Sequence, residues 1–259
     1  MSDTAASEAD ERVRALAKLY DGEYYAHHLG TPYQWGDAVW QEFFGRIADV
    51  VVAKLAPRTV LDAGCGIGFL VAALRERGVE AYGIDISDYA ISQVPANIEG
   101  YCTVASVTDE LEHDYDVIVC IEVLEHLPPD LGERAIENLT RHTRQILFSS
   151  TPSDLEEPTH FNVQPIEHWV GLFARQGFFR DVDLDVGFVA PHAVFLVRSG
   201  AAAEDLARDY ERWHWAQLAR LSEATRETSL RGRIARVLAT THRRARHMRP
   251  RPRVRDRAR

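Results

Sequence analysis

Lysine is almost missing from this chain of 259 residues: two stand against 28 arginines. Genomic base composition accounts for such a bias, and no function is read from it. Cysteine is sparse too. Cys65, Cys102 and Cys120 cannot all pair, and each sits in an apolar or glycine-rich stretch. That excludes a disulfide framework and predicts buried free thiols in a reducing cytoplasm. No apolar run approaches the ~20 residues of a membrane-spanning helix. No internal repeat is visible. Met1 to Glu11 is acidic and polar, which reads as a disordered lead rather than a secretory leader. The net charge of −9 is unevenly placed. Residues 1–200 carry 14 basic against 32 acidic side chains, and residues 201–259 carry 16 against 7. An acidic body repels a nucleic-acid backbone, so a nucleic-acid partner is not expected. The basic end suits an anion, a membrane surface or the acidic body itself.

Apolar residues at 39, 40, 43, 44, 47, 50, 51 and 55 have helical spacing, and Pro57 stops that helix. Short apolar runs and helical runs then alternate. Strands are expected at Thr59–Asp62, Glu80–Asp85, Tyr101–Ala105, Asp116–Cys120 and Gln145–Ser150. Helices are expected at Ile67–Arg77, Ser87–Val94, Leu131–His142 and Pro165–Gln176, with Gly78 and Gly177 closing the first and last. Arg180–Val186 and His192–Arg198 follow with only Gly187–Pro191 between them, which predicts an antiparallel hairpin. Strands joined through helices of about ten residues need right-handed crossovers, so the fold class is α/β with a seven-stranded, mainly parallel sheet. Four segments follow: a flexible 1–14, a domain over 15–200, a helical extension over 201–247 and a disordered basic tail over 248–259. Trp213 and Trp215 give the extension too much apolar surface to leave in water. It is expected to pack on the body, on a second copy or on a partner enzyme.

The run Val60-Leu61-Asp62-Ala63-Gly64-Cys65-Gly66-Ile67-Gly68 stands where a strand becomes a helix. Glycine there lets backbone approach a ligand, and helix N-terminal amides add donors. Asp85 follows seventeen residues after Gly68, at the end of the next strand, where a carboxylate can accept both hydrogen bonds of a ribose diol. A dinucleotide fingerprint would need glycine where Phe69 stands. The alternative is a glycine-rich turn with no ligand. The spacing G-x-G-x-G with Asp62 just ahead resembles motif I of class I S-adenosylmethionine-dependent methyltransferases, and the resemblance extends over about residues 15–200. It implies a Rossmann-like fold and S-adenosylmethionine as cofactor. Gly64, Cys65 and Gly66, with Asp62, would carry the methionine part, and Asp85 with Ile86 the ribose. Ser106 would stand near the adenine, and Glu122 would border the cofactor.

After the fourth strand comes Glu122-Val123-Leu124-Glu125-His126, with acids and imidazole at i, i+3 and i+4, on one side of a helical turn. His160, in the loop after the fifth strand, falls at the same end of the sheet. The pattern E-x-x-E-H with a distant H resembles the metal site of plant small-RNA terminal 2′-O-methyltransferases and of ubiquinone-pathway O-methyltransferases. It implies Glu122, Glu125, His126 and His160 as ligands of Mg²⁺ or Mn²⁺, with Glu125, His126 and His160 catalytic. A hydroxyl is a poor nucleophile at neutral pH, and a divalent ion lowers its pKa. The alternative is that Glu125 and His126 brace the loop, with His126 or His160 as a lone general base.

The segment Tyr20 to His28, with Tyr33 and Trp35, reads either as a lid over the site or as helix packing. Asp154, Glu156, Glu157, His168, Trp169 and His192 are further candidates for the cleft, with His168 and Trp169 leaning to a structural role. The function expected is metal-assisted O-methylation of a saccharide or polysaccharide precursor, a reading to which resemblance to bacterial polysaccharide-tailoring methyltransferases adds. A small aromatic or natural-product hydroxyl is the second acceptor. A non-catalytic scaffold recruiting a glycosyltransferase, and RNA 2′-O-methylation, are the other classes.

Overall fold

The computed structural model describes residues 11–247, with side chains described through 225. Two units are described separately: the body up to Gly200, and the segment from Ala201.

In the body, residues 11–17 form α1. Then come α2 (Gly22–His27), α3 (Ala38–Leu55), β1 (Thr59–Ala63), α4 (Phe69–Glu76), β2 (Glu80–Asp85), α5 (Asp88–Ser92), β3 (Cys102–Val104), β4 (Val117–Ile121), α6 (Pro129–Arg141), β5 (Gln145–Ser149), α7 (Ile166–Arg175), β6 (Phe178–Arg180) and β7 (Val194–Arg198). The sheet order is β3-β2-β1-β4-β5-β7-β6. The first five strands run parallel, and β7 is antiparallel to both β5 and β6. The chain moves outward from β1 to β3 and then returns to β4 beside β1. That reversal opens a crevice beyond the carboxyl ends of β1 and β4, where ligands of open parallel sheets bind.

Alternation along the strands fills both faces. Val60, Val119 and Leu147 point to a core shared with α3 and α4, which contribute Val51, Leu70 and Leu74. Leu61, Ile118, Ile146 and Phe148 point to the opposite core, under Ile136 and Leu139 of α6 and Trp169 and Phe173 of α7. A fully buried aliphatic or aromatic side chain is worth about 1.5–3 kcal/mol. These strands read as unbroken apolar runs because both faces are covered.

Two expectations are corrected. The last two strands pair antiparallel at one edge as expected, but over Phe178–Arg180 and Val194–Arg198 instead of Arg180–Val186 and His192–Arg198. β6 ends at Arg180, and residues 181–193 form a loop. Asp181 and Asp185 cause this, because their carboxylates accept the amides of Asp183 and Gly187 at 2.9 Å and turn the backbone locally. Leu184, Val186 and Phe188 of the loop then pack into the first core. Residues 11–14 are helical rather than flexible. Val13 and Leu16 pack on the second core, and Arg12 forms a two-pronged bond to Asp130. Residues 1–10 and the basic tail over 248–259 lie outside the described residues.

The second unit is one helix, α8 (Ala203–His247). Arg208 pairs with Glu204 and Asp205, and Arg212 with Asp209. Trp215 is 67% exposed, and Leu218 and Leu221 are exposed as well. No helix among the described residues is long and apolar enough to cross a membrane.

Gly83 in β2 shows how tightly the first core is filled. A Cβ there would stand 2.7 Å from Cβ and Sγ of Cys65 and 2.9 Å from Val71. Gly83→Ala is therefore expected to cost about 1–3 kcal/mol through overpacking. Urea unfolding measures it, and a wild-type midpoint would contradict the packing described.

Candidate active site

The loop after β1 is held by its own amides. Gly64 and Cys65 both donate to the carbonyl of Ile84, at 2.8 and 2.9 Å, and Gly66 donates to Asp85 Oδ2 at 2.8 Å. Asp85 Oδ1 accepts the amide of Ser87 at 2.9 Å. Gly64 has φ +90°, and a Cβ on it would fall 2.3 Å from Val123 Cγ2, so no other residue fits. Burial pushes the Asp85 carboxyl up, and the amides of Ser87, Gly66 and Ile86 oppose it. Asp62 is driven well above the carboxylate range by burial first, then by Cys102 and Asp85.

Above this loop lies a cavity of about 410 Å³. Asp62, Gly64, Gly66, Asp85, Ile86 and Ser106 line one side, all among the residues expected to hold the cofactor. Cys65 does not line it. Its side chain turns into the core over Gly83, and all three cysteines are buried and free. Ser106 reaches the wall, but its hydroxyl is shared with Thr108 at 2.8 Å and its amide is held by Asp109. The aromatic N-terminal segment roofs the cavity and is also packed. Tyr20, Tyr24 and Tyr25 are buried, and the Tyr33 ring lies 3.0 Å from where a Cβ of Gly66 would stand. Trp40, Phe43 and Phe44 of α3 complete an apolar wall, and Val189 and Ala190 of the 181–193 loop join it.

Beyond β4, the turn Leu124–His126 and the loop holding His160 converge. Ligand atoms of Glu125, His126 and His160 lie within 4.8 Å of one another. His126 Nδ1 is 3.1 Å from both the carbonyl and the hydroxyl of Thr159, and His160 Nδ1 is 2.8 Å from the carbonyl of Asp154. A carbonyl only accepts, so Nδ1 carries a proton in both rings. Burial, then the neighbouring His160, lowers His126 to about 4, so it is neutral at pH 7. Glu125 is fully buried. One of its oxygens accepts the amide of Thr151 at 3.3 Å, and Oε2 has no hydrogen-bond partner among the described residues. Burial, then Glu122, pushes its carboxyl well up. Two imidazoles and a carboxylate oxygen without a partner fit a divalent cation. With two nitrogens the set suits Mn²⁺, Fe²⁺ or Zn²⁺ better than Mg²⁺.

Glu122 stands outside this group. Its Oε1 is 3.0 Å from His192 Nε2, across the cavity mouth from β4 to the 181–193 loop. Its φ of +51° is strained for a residue with a side chain. Glu157 accepts from His28 of the α2 end at 3.1 Å and from the Thr159 hydroxyl at 3.0 Å. The roof is thereby tied to the loop that fixes His126. Glu156 is exposed, and Trp169 is buried in the core. Sequence reasoning named Tyr33 as a lid candidate and missed Trp40 and Ser149. Trp40 Nε1 and Ser149 Oγ are buried without partners on the cavity wall. Ser149 follows the apolar run Ile146–Phe148, a signal that could have marked it.

A family model described as a methyltransferase domain matches residues 25–237. The chain belongs to that methyltransferase family. Among curated relatives, the ubiquinone biosynthesis O-methyltransferase of Nitrosospira multiformis is 35% identical over 107 residues, 38% of this chain and 45% of that protein. The same enzyme of a Pseudomonas fluorescens strain is 34% identical over 38% of this chain and 46% of its own. This methyltransferase thus spans less than half the length of those relatives. Among solved structures, magnesium protoporphyrin IX methyltransferase from Synechocystis PCC 6803, with bound SAM, superposes with a TM-score of 0.54 at 19% identity, over 71% of this chain and 97% of that one. The likeness is one of fold.

Glu125 gives a pH test. Its folded pKa lies above its unfolded value, so the stability it contributes is complete below about pH 4.5 and is lost as pH rises through the folded pKa. Glutamine has no such loss. In chelator, the melting temperature of Glu125→Gln minus that of wild type is expected to grow from about pH 5 to about pH 8. A flat difference would show that Glu125 ionises freely.

Proposed function

We propose that this methyltransferase moves the methyl group of S-adenosylmethionine onto an aromatic hydroxyl that has a neighbouring oxygen, with a divalent cation held by Glu125, His126 and His160. One observation carries the reading: a single cavity is lined by the glycine loop and Asp85, by the aromatic N-terminal segment and by His126, whose ring is grouped with Glu125 and His160 beyond β4. The partial match to ubiquinone biosynthesis O-methyltransferases favours oxygen as the accepting atom. The carbohydrate expectation rested on the acidic body, on the lack of an evident greasy surface in the sequence and on the resemblance to polysaccharide-tailoring enzymes, whereas Tyr33, Trp40, Phe43 and Phe44 make a wall suited to a flat apolar ring.

Asp85 would hold the ribose hydroxyls. Its oxygens accept the amides of Gly66 and Ser87, and the residue lines the cavity. Gly64 and Gly66 give the close approach that the methionine part needs, since a Cβ on Gly64 would meet Val123 instead. S-adenosylmethionine supplies an electrophilic methyl on a sulfonium, and the cation supplies charge that lowers the hydroxyl's pKa. The chain's own residues position and exclude. Glu125 and the Nε2 atoms of His126 and His160 are the donors for the cation. The tyrosine roof keeps water away, and the bonds to Thr159 and Asp154 fix both imidazoles. Holding the reactants in line supplies much of the remaining rate.

The experiment pairs labelled S-adenosylmethionine with catechols, simple phenols and short glycosides. EDTA is added and then Mn²⁺ restored. Transfer to catechols is expected, falling at least about tenfold in EDTA and returning with Mn²⁺. Glu125→Gln should remove the Mn²⁺ response while keeping cofactor affinity. Transfer only to glycosides would reverse the acceptor. Turnover indifferent to chelator would return His126 to the role of general base. Cofactor binding without transfer to any acceptor would favour the scaffold reading.

A further inference from the structure

Methyl transfer from a sulfonium to a hydroxyl releases one proton, and few groups on the cavity wall can take it. With a cation bound, Glu125, His126 and His160 are spent as its donors. Asp85 is committed to the amides of Gly66 and Ser87. Burial drives Asp62 well above the carboxylate range and keeps the tyrosines of the roof neutral, so neither kind of group is ready to accept a proton. There remains the pair across the mouth, Glu122 and His192, both of which line the cavity.

His192 is held in place and still reachable. Its Nε2 is 3.0 Å from Glu122 Oε1. A carboxylate oxygen accepts, so Nε2 carries the proton of that contact, and in the neutral ring Nδ1 holds the lone pair. Nδ1 has no hydrogen-bond partner among the described residues, and with 21% of the side chain exposed it is not one of the sealed polar atoms. The loop behind the ring is fixed. Val186 and Ala193 are buried, and Ala193 donates to the carbonyl of Ala190 at 2.9 Å. Glu122 is aimed by the left-handed turn of its own backbone, a strain of the kind that folded proteins keep where function uses it. No hydrogen bond or ion pair among the described residues links His192 to Glu125, His126 or His160, so the imidazole stands apart from the donors of the cation.

We infer that His192, oriented by Glu122, is the base that takes the proton of the acceptor hydroxyl at Nδ1. The acceptor oxygen bonds to the methyl carbon, the carbon–sulfur bond breaks with its electron pair left on sulfur, and the hydroxyl proton passes to Nδ1. The imidazolium so formed is paired with the Glu122 carboxylate, and its exposed side gives the proton to water. This rests on the cation-assisted O-methyltransferase reading given above. The cation makes the hydroxyl more acidic, and His192 gives the proton somewhere to go.

His192→Ala tests this with two acceptors in mildly alkaline buffer: catechol, and 4-nitrocatechol, whose hydroxyl is already ionised there and needs no base. In the variant, kcat for catechol is expected to fall about hundredfold and kcat for 4-nitrocatechol less than about fivefold. Imidazole in the buffer should restore part of the catechol rate in the variant alone. Affinity for S-adenosylhomocysteine, measured by calorimetry, should stay within about twofold, which shows the variant folded around its cofactor site. A second readout needs no turnover. Catechol added to the wild-type complex with Zn²⁺ and S-adenosylhomocysteine should move the ¹⁵N signal of His192 Nδ1 as that nitrogen gains a hydrogen bond. An unchanged catechol rate, or an Nδ1 signal that stays still, overturns the inference. So does a loss of S-adenosylhomocysteine affinity, which would give the residue to the cofactor. A wild type that methylates neither acceptor overturns the transferase reading and the base with it, whereas an active wild type with equal losses on both acceptors overturns the base alone.

Discussion

Asp85 gives one carboxylate oxygen to the amide of Gly66 and the other to the amide of Ser87. It ties the loop after β1 to the loop after β2. A buried carboxylate is costly unless hydrogen-bonded, and these amides meet that need. Most of the site is built on this tie. Gly66 is placed beneath Tyr33, and Ser87 is placed to hold Tyr20 and to cap α5 through Ala90. The same side chain lines the cavity, so under the proposed function it is at once a structural staple and a binding group.

The other end of the cavity is organised by unmet polarity. Glu125 is inside the protein with one oxygen unbonded, beside two imidazoles turned by carbonyls of the neighbouring loop. Trp40, Ser149 and Tyr20, which line the cavity, carry further buried polar atoms with no hydrogen-bond partner among the described residues. Several such groups around one space are expensive for an empty fold. Their cost is understandable if the folded chain is shaped for what it binds.

Much of this was legible in the sequence for reasons that can be named. Runs such as Val117–Ile121 and Ile146–Phe148 are apolar throughout because both sheet faces are covered. That made strands and order of elements readable, and G-x-G-x-G with Asp85 marked the crevice. The loop over 181–193 was not readable. Its alternating Asp and Leu/Val residues look like a strand, and only the side chain-to-amide bonds of Asp181 and Asp185 show otherwise. Spacing placed Glu122, Glu125 and His126 on one side of a turn. The backbone takes a left-handed conformation at Glu122, which sends that side chain to His192 instead. Trp40 was hidden for a different reason. Its role depends on how α3 lies over the sheet, which no local pattern encodes.

The outermost strands have a bearing on how the molecule behaves when crowded. β3 and β6, at the two margins of the sheet, are only three residues long each, although the strands inside are five or six. A row of free amides and carbonyls is what a foreign strand needs for templated growth. Here neither margin offers more than a few, so fibril-like stacking finds little foothold at the rim of this sheet.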